Sequence, residues 1–542
     1  MRTIKQILAV LLGLVLIVGC FTGCGNSGGS GDDGAKLTGE KISITAPISG
    51  NGQAWLENAA QAFTKKTGIA VEVAWDAMLS TNLTTILGTD GVQKSDIYFA
   101  STYEWSLWLR DGGLIEDLTD FLNEPDENEG GKSLNERTLP QNYRYILDDE
   151  GNKRQGVVPT TSNTHGVVYN IEMMNYLCHD VLGWEEGHDY PINTKELFEV
   201  IDAMNTATKE GSNKELFTYT QDGKACDVKP WVWSGSVGTL EFFFYPWLGQ
   251  YEGQENLTKY MSNVGVKPIH TDCEGMYVVY QMLSDLMAIT TDENGNVYSA
   301  NSIPNCVSYN HTASQSQLLL GKALMIPAAD WFYTEMEATI EDGENIGFMP
   351  VPWMSDEEGN PLTAEGVEMP QNADGTYRPY DYYTSYLGYA CIPVDAQNKD
   401  GAKQFLRFLT SSEYLPKYAS DVQTCMAYEF DESQVEASSW YEKVLAVRDA
   451  CEMASFNADS KLVSYGRISF YNNPSTAPYS QLSTGAFGST EKLIDSATGK
   501  ELKEGETPIG VAVTENVYKY VQSNHKAAVA GWAEAKKMVG LK

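Results

Sequence analysis

Two clusters of aromatic and acidic residues are the parts of the sequence best suited to chemistry with a small molecule. One follows a predicted buried strand at residues 323–326, and the other lies in the aromatic stretch 226–253. Aromatic walls with a few placed polar groups are typical of small-molecule pockets. We expect half of the aromatic side chains in the second cluster to fill a core instead. The predicted site residues from the two clusters are Trp233, Glu241, Phe242, Asp330 and Trp331.

Two loops supply further polar candidates. Asn51 and Gln53 follow the first predicted strand, and Ser101, Tyr103 and Glu104 follow a buried strand that begins at Asp96. Open α/β sheets bind ligands beyond the carboxyl ends of their strands. We therefore expect these loops to border a ligand cleft.

Signatures of catalysis and of metal binding are missing from the sequence. It contains no Gly-x-Ser-x-Gly, Walker or His-Glu-x-x-His pattern, and its six histidines show no paired spacing. Residues 292–296 (DENGN) lack the glycine and the final glutamate of a calcium loop at their places, so we interpret them as a hairpin turn. We expect no enzyme activity, no metal and no cofactor.

The first residues indicate export. Arg2 and Lys5 precede an apolar run at residues 7–18, which at about 1.5 Å per residue is too short to span a bilayer of about 30 Å. The run ends at Cys20, and a second similar ending closes at Cys24. Both endings resemble the lipobox of bacterial lipoproteins, whose cysteine is lipidated. We predict a signal peptide at 1–24, lipidation at Cys24 or Cys20, and a flexible Gly/Ser tether at 25–40.

The length and net charge of the remaining chain limit the number of its cores and the kind of partner it can bind. The 542 residues are enough for two or three cores, and the formal net charge of −35 is opposite in sign to that of nucleic-acid-binding proteins. Seven cysteines lie beyond the signal and none forms a Cys-x-x-Cys pair. We expect mostly buried, unpaired thiols; the odd count leaves at least one thiol free, and one or two disulfides stay open.

Regular elements alternate along the chain. Ile42, Ile44 and Ala46 alternate with polar residues as in a strand, a helix carries Trp55 and Phe63 on one face, and a second strand follows. This strand–helix–strand order predicts a parallel sheet covered by helices. Farther on, Thr194 is predicted to cap one helix, Asn398 or Asp400 to cap another, and the end of the chain from Val511 to be helical.

Several stretches in this order resemble the sugar-binding proteins of ABC importers, the family that includes maltose-binding protein. They are residues 63–71 (FTKKTGIAV), 112–118 (GGLIEDL), 191–197 (PINTKEL), 320–325 (LGKALM) followed by Ala329-Asp330-Trp331, and 402–409 (AKQFLRFL). Lys195 stands where the family usually has Trp. The resemblance covers most of residues 40–420 and leaves extra segments near 124–156, 205–230, 355–380 and 472–510 without counterparts.

The resemblance implies an α/β, two-lobe, periplasmic-binding-protein-like fold with a ligand cleft between discontinuous lobes. Lobe one would comprise 41–158 and 387–430, and lobe two 165–384 and 435–542. It also implies a lipid-anchored monomer on the outer face of the cell membrane, which delivers a carbohydrate, an oligosaccharide in our interpretation, to the permease subunits of an ABC importer. Tyr383 would lie at a crossover beside the cleft, and Trp331 would stack on the ligand opposite the loop at residues 101–104.

Three alternatives remain open from the sequence. A receptor for an amino acid, peptide or metal would share the fold. An exported glycoside hydrolase would need two carboxylates either about 5–5.5 Å or about 6.5–9.5 Å apart across the sugar, and 73 acidic residues leave such a pair conceivable. A surface adhesin would neither turn over a sugar nor bind it stoichiometrically.

Overall fold

The computed structural model of the protein describes residues 38–48, 50–100, 105–110, 113–148, 150–210, 213–234, 240–257, 273–340, 345–382, 388–454 and 488–538. The predicted signal peptide, most of the predicted tether, and six candidate residues lie outside the described residues. These six are Cys20, Cys24, Ser101, Tyr103, Glu104 and Tyr383.

Strands and helices alternate through most of the described chain. The strands are β1 (Lys41–Ala46), β2 (Ala70–Trp75), β3 (Ile97–Ala100), β4 (Ile146–Leu147), β5 (Lys153–Arg154), β6 (Val158–Pro159), β7 (His165–Asn170), β8 (Thr218–Gln221), β9 (Lys224–Asp227), β10 (Lys229–Trp231), β11 (Ile289–Thr291), β12 (Val297–Ser299), β13 (Ala323–Ala329), β14 (Ile346–Met349), β15 (Tyr380–Tyr382), β16 (Tyr389–Cys391), β17 (Glu452–Ala454), β18 (Leu493–Asp495) and β19 (Ala512–Thr514). The α-helices are α1 (Ala54–Thr67), α2 (Leu79–Gly88), α3 (Trp105–Arg110), α4 (Thr119–Asn123), α5 (Leu134–Arg137), α6 (Ile171–Asn175), α7 (Thr194–Glu210), α8 (Glu241–Glu252), α9 (Glu274–Leu286), α10 (His311–Leu319), α11 (Phe332–Met336), α12 (Lys399–Leu409), α13 (Leu415–Val422), α14 (Ser439–Ala450) and α15 (Glu515–Met538).

A sheet in the order β2-β1-β3-β16-β6 forms the centre of what we call lobe one. β1 pairs in parallel with β2 and β3, whereas β16 is antiparallel to β3 and β6. Ile97 and Phe99 of β3 belong to one hydrophobic cluster with α1 and α12, and Tyr98 and Ala100 belong to another with α2 and α3. Helices therefore cover both faces of this sheet, which is why β3 is buried along its whole length.

A second sheet, in the order β10-β13-β7-β14, forms the centre of lobe two. β10 and β13 are parallel, but β7 is antiparallel to both of its neighbours, so this sheet is mixed, whereas the strand–helix–strand unit at the start of lobe one has the predicted parallel pairing of β1 and β2. The physical reason lies in the crossing from lobe one. His165, the first residue of β7, is paired with Ala329, the last residue of β13, so the incoming chain must run the opposite way.

The aromatic stretch supplies much of the core of lobe two. Trp231 and Trp233 are fully buried and stacked, with ring centroids 4.9 Å apart, and Trp247 of α8 belongs to the same cluster. The indole N–H of Trp233 donates to Ser302 Oγ at 2.9 Å, and that of Trp247 donates to the Pro352 carbonyl at 2.8 Å. These bonds satisfy the polar ends of buried rings.

Helix starts agree only partly with the sequence. The side chain of Asn398 caps α12 by accepting from the N–H of Gly401 at 2.9 Å. Helix α7 is capped by Asn193, which accepts from the N–H of Glu196 at 3.0 Å, and not by Thr194 as predicted. The Thr194 hydroxyl is engaged with the Ser355 hydroxyl at 3.2 Å.

Two smaller expectations have clear outcomes. Residues 292–296 form the predicted hairpin turn between β11 and β12, in which Asp292 Oδ1 accepts from the N–H groups of Asn294 and Asn296 at 2.9 and 2.8 Å. The end of the chain is not helical from Val511 as predicted, because β19 pairs with β18 and α15 begins at Glu515.

The described ranges contain no helix long and apolar enough to cross a membrane. They include all seven cysteines beyond the predicted signal, and no disulfide links these seven. Five of them are buried, in agreement with the prediction of mostly buried thiols.

Candidate functional site

A cavity of about 650 Å³ lies between the two lobes. Lobe one contributes the loop after β1, the ends of β3 and β6, and side chains from α1 and α13. Lobe two contributes the start of α10, the middle of β13, Phe242 from α8, and the turn into α11. Its main lining side chains are Asn51, Trp55, Phe99, Thr160, Thr161, Asn163, Phe242, His311, Thr312, Gln315, Trp331, Thr334, Glu335 and Tyr418.

Aromatic rings stand on both sides of this cavity. In lobe one, Trp55 is stacked on Tyr418 with centroids 4.9 Å apart and meets the edge of Phe99 at 5.1 Å. In lobe two, Phe242 and Trp331 are in edge contact at 6.1 Å. Flat apolar faces on opposite walls suit a ligand that is itself flat and carries C–H groups above and below its plane.

Trp331 also closes the edge of the cavity against lobe one. A Cβ added at Gly50 would come within 2.8 Å of Cδ1 of Trp331, so the ring lies directly on the Gly50 backbone. Nearby, the hydroxyl of Thr334 in lobe two donates to the carbonyl of Val422 in lobe one at 3.2 Å. The lobes therefore touch at this edge, as expected for a closed arrangement of a hinged two-lobe protein.

Three polar atoms at the cavity are buried and, within the part of the chain that the structure describes, have no hydrogen-bond partner. They are Asn51 Oδ1, Trp55 Nε1 and Gln315 Oε1, and all three residues line the cavity. An unpaired buried polar atom is costly, so such atoms call for a partner. One donor and two acceptors would be satisfied together by a ligand bearing several hydroxyl groups, since a hydroxyl both donates and accepts.

A histidine, a glutamate and a glutamine form a bonded trio on the wall of lobe two. His311 Nε2 lies 2.9 Å from Glu335 Oε1, and Gln315 Nε2 donates to Glu335 Oε2 at 2.8 Å. The hydrogen bond to Glu335 raises the pKa of His311, which partial burial opposes. Glu335 is the one carboxylate among the described residues that line the cavity, and both of its oxygens are engaged.

Asp330 is fully buried outside the cavity lining and links two distant segments of the chain, at residues 163–164 and at Thr424. Its carboxylate accepts from Asn163 Nδ2 at 2.9 Å, from the N–H of Thr164 at 3.0 Å, and from the Thr424 hydroxyl. Burial raises the pKa of Asp330 to about 6 against these hydrogen bonds, which lower it. The carboxylate of Asp330 is therefore engaged within the protein and does not face the cavity lining.

His165 forms a second buried link beside Asp330. Asp381 accepts from the N–H of His165 at 3.1 Å and from its ring Nδ1 at 3.0 Å. Burial by itself would lower the pKa of His165, but the charge and hydrogen bond of Asp381 raise it overall. The imidazole also contacts two cavity rings, with centroids 4.9 Å from Phe242 and 5.9 Å from Trp331.

The structure brings three of the seven described candidate residues to the cavity: Asn51, Phe242 and Trp331. Gln53 is exposed at the start of α1, and Trp233 is fully buried in the core of lobe two. Glu241 and Asp330 are buried outside the cavity lining. These four residues therefore do not line the cavity. For Gln53 and Asp330, a position after a strand does not determine which way the side chain points, and Trp233 and Glu241 belong to the aromatic stretch that is buried in lobe two.

Sequence reasoning missed several lining residues. Trp55 is on the predicted core face of α1, yet it lines the cavity, and its indole N–H has no partner in the part of the chain that is described. His311 and Gln315 are four residues apart, so they share one face of α10, and this spacing was an available signal. Thr160 and Thr161 carried no signal, because they lie in a connecting segment.

The two-lobe α/β fold and its cavity define a class of solute-binding protein, and the sequence comparison agrees. The family model for bacterial extracellular solute-binding proteins matches residues 46–415, which is more than half of the chain. The chain belongs to this family. A search of curated protein sequences gives no significant match.

Solved structures confirm the two-lobe fold. The maltose/maltodextrin-binding domain MalE from Bdellovibrio bacteriovorus, bound to maltotriose, is 15% identical with a TM-score of 0.52 over 90% of this chain and 98% of its own. The GacH receptor of Streptomyces glaucescens is 14% identical with a TM-score of 0.53 over 90% and 98% of the two chains. The solute-binding protein RafE, in complex with raffinose, is 16% identical with a TM-score of 0.51 over 82% and 95%.

Proposed function

We propose that this protein binds a carbohydrate of oligosaccharide size in the cavity between its lobes and delivers it to the permease subunits of an ABC importer. The observation that carries the proposal is the pairing of ring faces on both walls with three polar atoms, at Asn51, Trp55 and Gln315, that have no hydrogen-bond partner among the residues the structure describes. A sugar ring matches both features, because it has C–H groups on its faces and hydroxyls around its edge.

The similar structures support the same ligand class. MalE is described with maltotriose, GacH with acarbose and RafE with raffinose. The charge of the cavity is also consistent with a neutral ligand, because Glu335 is already bound to His311 and Gln315. Glycoside hydrolysis would need a second carboxylate near Glu335, and the described lining supplies none.

A binding panel tests this function. Calorimetry should be run with maltotriose, raffinose, acarbose, short oligosaccharides of xylose, mannose and N-acetylglucosamine, and amino acids and peptides as the non-sugar arm. The proposal predicts one-to-one binding of at least one saccharide with no release of reducing ends. Binding of an amino acid or peptide with no saccharide bound would contradict the carbohydrate assignment, and steady turnover would indicate a hydrolase.

The lipid anchor is a separate part of the proposal and rests on the two lipobox-like endings at Cys20 and Cys24. Mass spectrometry of protein extracted from membranes should find a diacylglyceryl group on a new N-terminal cysteine at one of these positions. Recovery of all the protein without lipid, with its N-terminus elsewhere, would contradict the anchor and leave the binding function standing. Gel filtration of the released protein should show a monomer.

A further inference from the structure

The trio of His311, Glu335 and Gln315 fixes the orientation of one side chain at the cavity. Gln315 is 5% exposed, and its Nε2 donates to Glu335 Oε2 at 2.8 Å. A carboxylate accepts hydrogen bonds and donates none, so the NH₂ group of Gln315 must face Glu335. The carbonyl oxygen of the same amide then faces away from Glu335, and it is the buried atom that has no partner within the described ranges of the chain.

Glu335 is itself held in place on its other side. Its Oε1 lies 2.9 Å from His311 Nε2, and Glu335 and His311 both line the cavity with Gln315. A glutamine that meets neutral groups can turn its amide over and present either a donor or an acceptor. Here the carboxylate of Glu335 fixes the orientation of the Gln315 amide, because turning the amide over would place its carbonyl oxygen against a negatively charged oxygen.

We infer that Glu335 is a positioning residue that holds Gln315 Oε1 towards the cavity as an obligate acceptor, so that this wall selects a ligand hydroxyl acting as a donor. The inference rests on the proposed carbohydrate function and adds a rule of specificity to it. A sugar whose hydroxyl at this place is replaced by fluorine keeps its shape and loses the donor. The wall then leaves Gln315 Oε1 unpaired, and binding weakens.

Side-chain amide NMR of the protein labelled with ¹⁵N glutamine tests the positioning role without any sugar. The Gln315 NH₂ signals, assigned from the Gln315→Met variant, should show the downfield shift and slow solvent exchange of an amide bound to a carboxylate. Both should be lost in Glu335→Gln and kept in the control Gln317→Ala, which removes a glutamine from the same helix outside the cavity. Unchanged Gln315 signals in Glu335→Gln would overturn the positioning role.

A fluorine scan tests the specificity rule. The tightest-binding saccharide of the panel and its mono-deoxyfluoro analogues should be titrated into wild-type protein, Gln315→Met, Glu335→Gln and Gln317→Ala. In the wild type and in Gln317→Ala, fluorine at one hydroxyl should weaken binding about 3- to 10-fold, the range for one lost hydrogen bond. In Gln315→Met the same analogue should bind within about twofold of its parent. In Glu335→Gln the loss of affinity caused by the fluorine should lie between the losses measured for wild type and for Gln315→Met.

The outcomes separate this inference from the function on which it rests. Equal discrimination by wild type and Gln315→Met would overturn the specificity rule while leaving the carbohydrate receptor intact. Failure of every saccharide in the panel to bind would overturn the proposed function and with it the rule, while the amide signals would still decide whether Glu335 positions Gln315.

Discussion

Trp55 offers two different contacts at the lobe-one wall of the cavity. Its ring face is stacked on Tyr418, and its indole Nε1 is buried without a partner among the described residues. The ring contributes shape whether or not a ligand is present. The N–H becomes useful when a ligand oxygen accepts from it, so these two contributions can be separated by mutation.

The variant Trp55→Phe keeps an aromatic ring on Tyr418 and removes the N–H. We expect saccharide binding to weaken about 3- to 10-fold, the cost of one hydrogen bond to a neutral partner. Calorimetry measures the affinity, and a thermal melt of the unliganded protein checks that the fold survives. The control Trp75→Phe changes a tryptophan of β2 that does not line the cavity, and it should leave affinity unchanged. Equal affinities for wild type and Trp55→Phe would show that no ligand atom accepts from Nε1.

Two buried groups, Asp330 and His165, should both make the folded protein more stable as the pH is lowered. The pKa of Asp330 is raised to about 6 by burial, so the folded state binds its proton more tightly than the unfolded chain and gains stability as the pH falls from 6 towards 4. The pKa of His165 is also raised, against burial, by Asp381. Its contribution is therefore present below the unfolded value of about 6.5 and is lost as the pH rises through the folded value.

We expect the melting temperature of the unliganded protein to rise as the pH is lowered from 8 to 6, and this rise to be smaller in His165→Gln. Thermal melts across this pH range measure the difference between the two proteins. Because other histidines also gain protons in this range, the control is His188→Gln, which replaces a partly exposed histidine away from Asp381 and should keep most of the rise. A rise of the same size in His165→Gln and wild type would show that the pair with Asp381 does not contribute.

At the scale of elements, the loop after β1 and the turn into α11 meet at one contact. The ring of Trp331 lies on Gly50, where a Cβ would come within 2.8 Å of the ring. The three atoms nearest to that Cβ all belong to the Trp331 side chain of the other lobe. Glycine is therefore required at position 50 because a larger residue there would keep the two lobes apart.

The variant Gly50→Val should hinder this approach and leave each lobe folded. We expect affinity for the panel saccharide to fall about tenfold or more, because a ligand between two lobes gains most of its contacts in the closed form. Small-angle X-ray scattering should show less compaction on adding sugar than in wild type. The control Gly88→Val adds the same side chain where nothing lies within 4 Å, and it should behave as wild type. Full compaction and full affinity in Gly50→Val would refute a closing contact here.

Periodicity in the sequence predicted the elements well where one face is buried. Ile42, Ile44 and Ala46 alternate in the sequence, and all three are fully buried in β1. The same holds for the apolar face of α12, including Phe405 and Leu409. Burial on one side gives the sequence a regular spacing of apolar residues, and this spacing can be recognised without a structure.

Periodicity failed where an element is buried on almost every side or where partners are distant in sequence. Helix α8 is buried nearly all round, so its pattern could not separate Phe242, which lines the cavity, from Trp247, which lies in the core. The contact of Gly50 with Trp331 and the link from Asp330 to Thr424 join segments from different parts of the chain. Such contacts follow from how the lobes are assembled, which local patterns do not record.

At the scale of the whole molecule, two lobes are joined by buried polar links at Asp330 and His165, and the cavity between them carries polar atoms that have no partner among the described residues. The strong negative charge of the chain has no direct part in this cavity, where Glu335 is bound to His311. We therefore expect its selectivity to come from ring faces and hydrogen bonds.

The most direct test of this account is a calorimetric titration of wild type and Trp331→Ala with the tightest-binding saccharide of the panel. Trp331 is partly exposed at the cavity, so its loss should weaken binding by about 2 kcal/mol, or roughly 30-fold, at unchanged stoichiometry. The unliganded melting temperature should change little, since a core tryptophan would instead cost about 3–5 kcal/mol of stability. The control Trp184→Ala, in the same lobe but away from the cavity, should leave binding unchanged. Undiminished affinity in Trp331→Ala, with or without a large loss of stability, would show that the ligand does not bind against this ring.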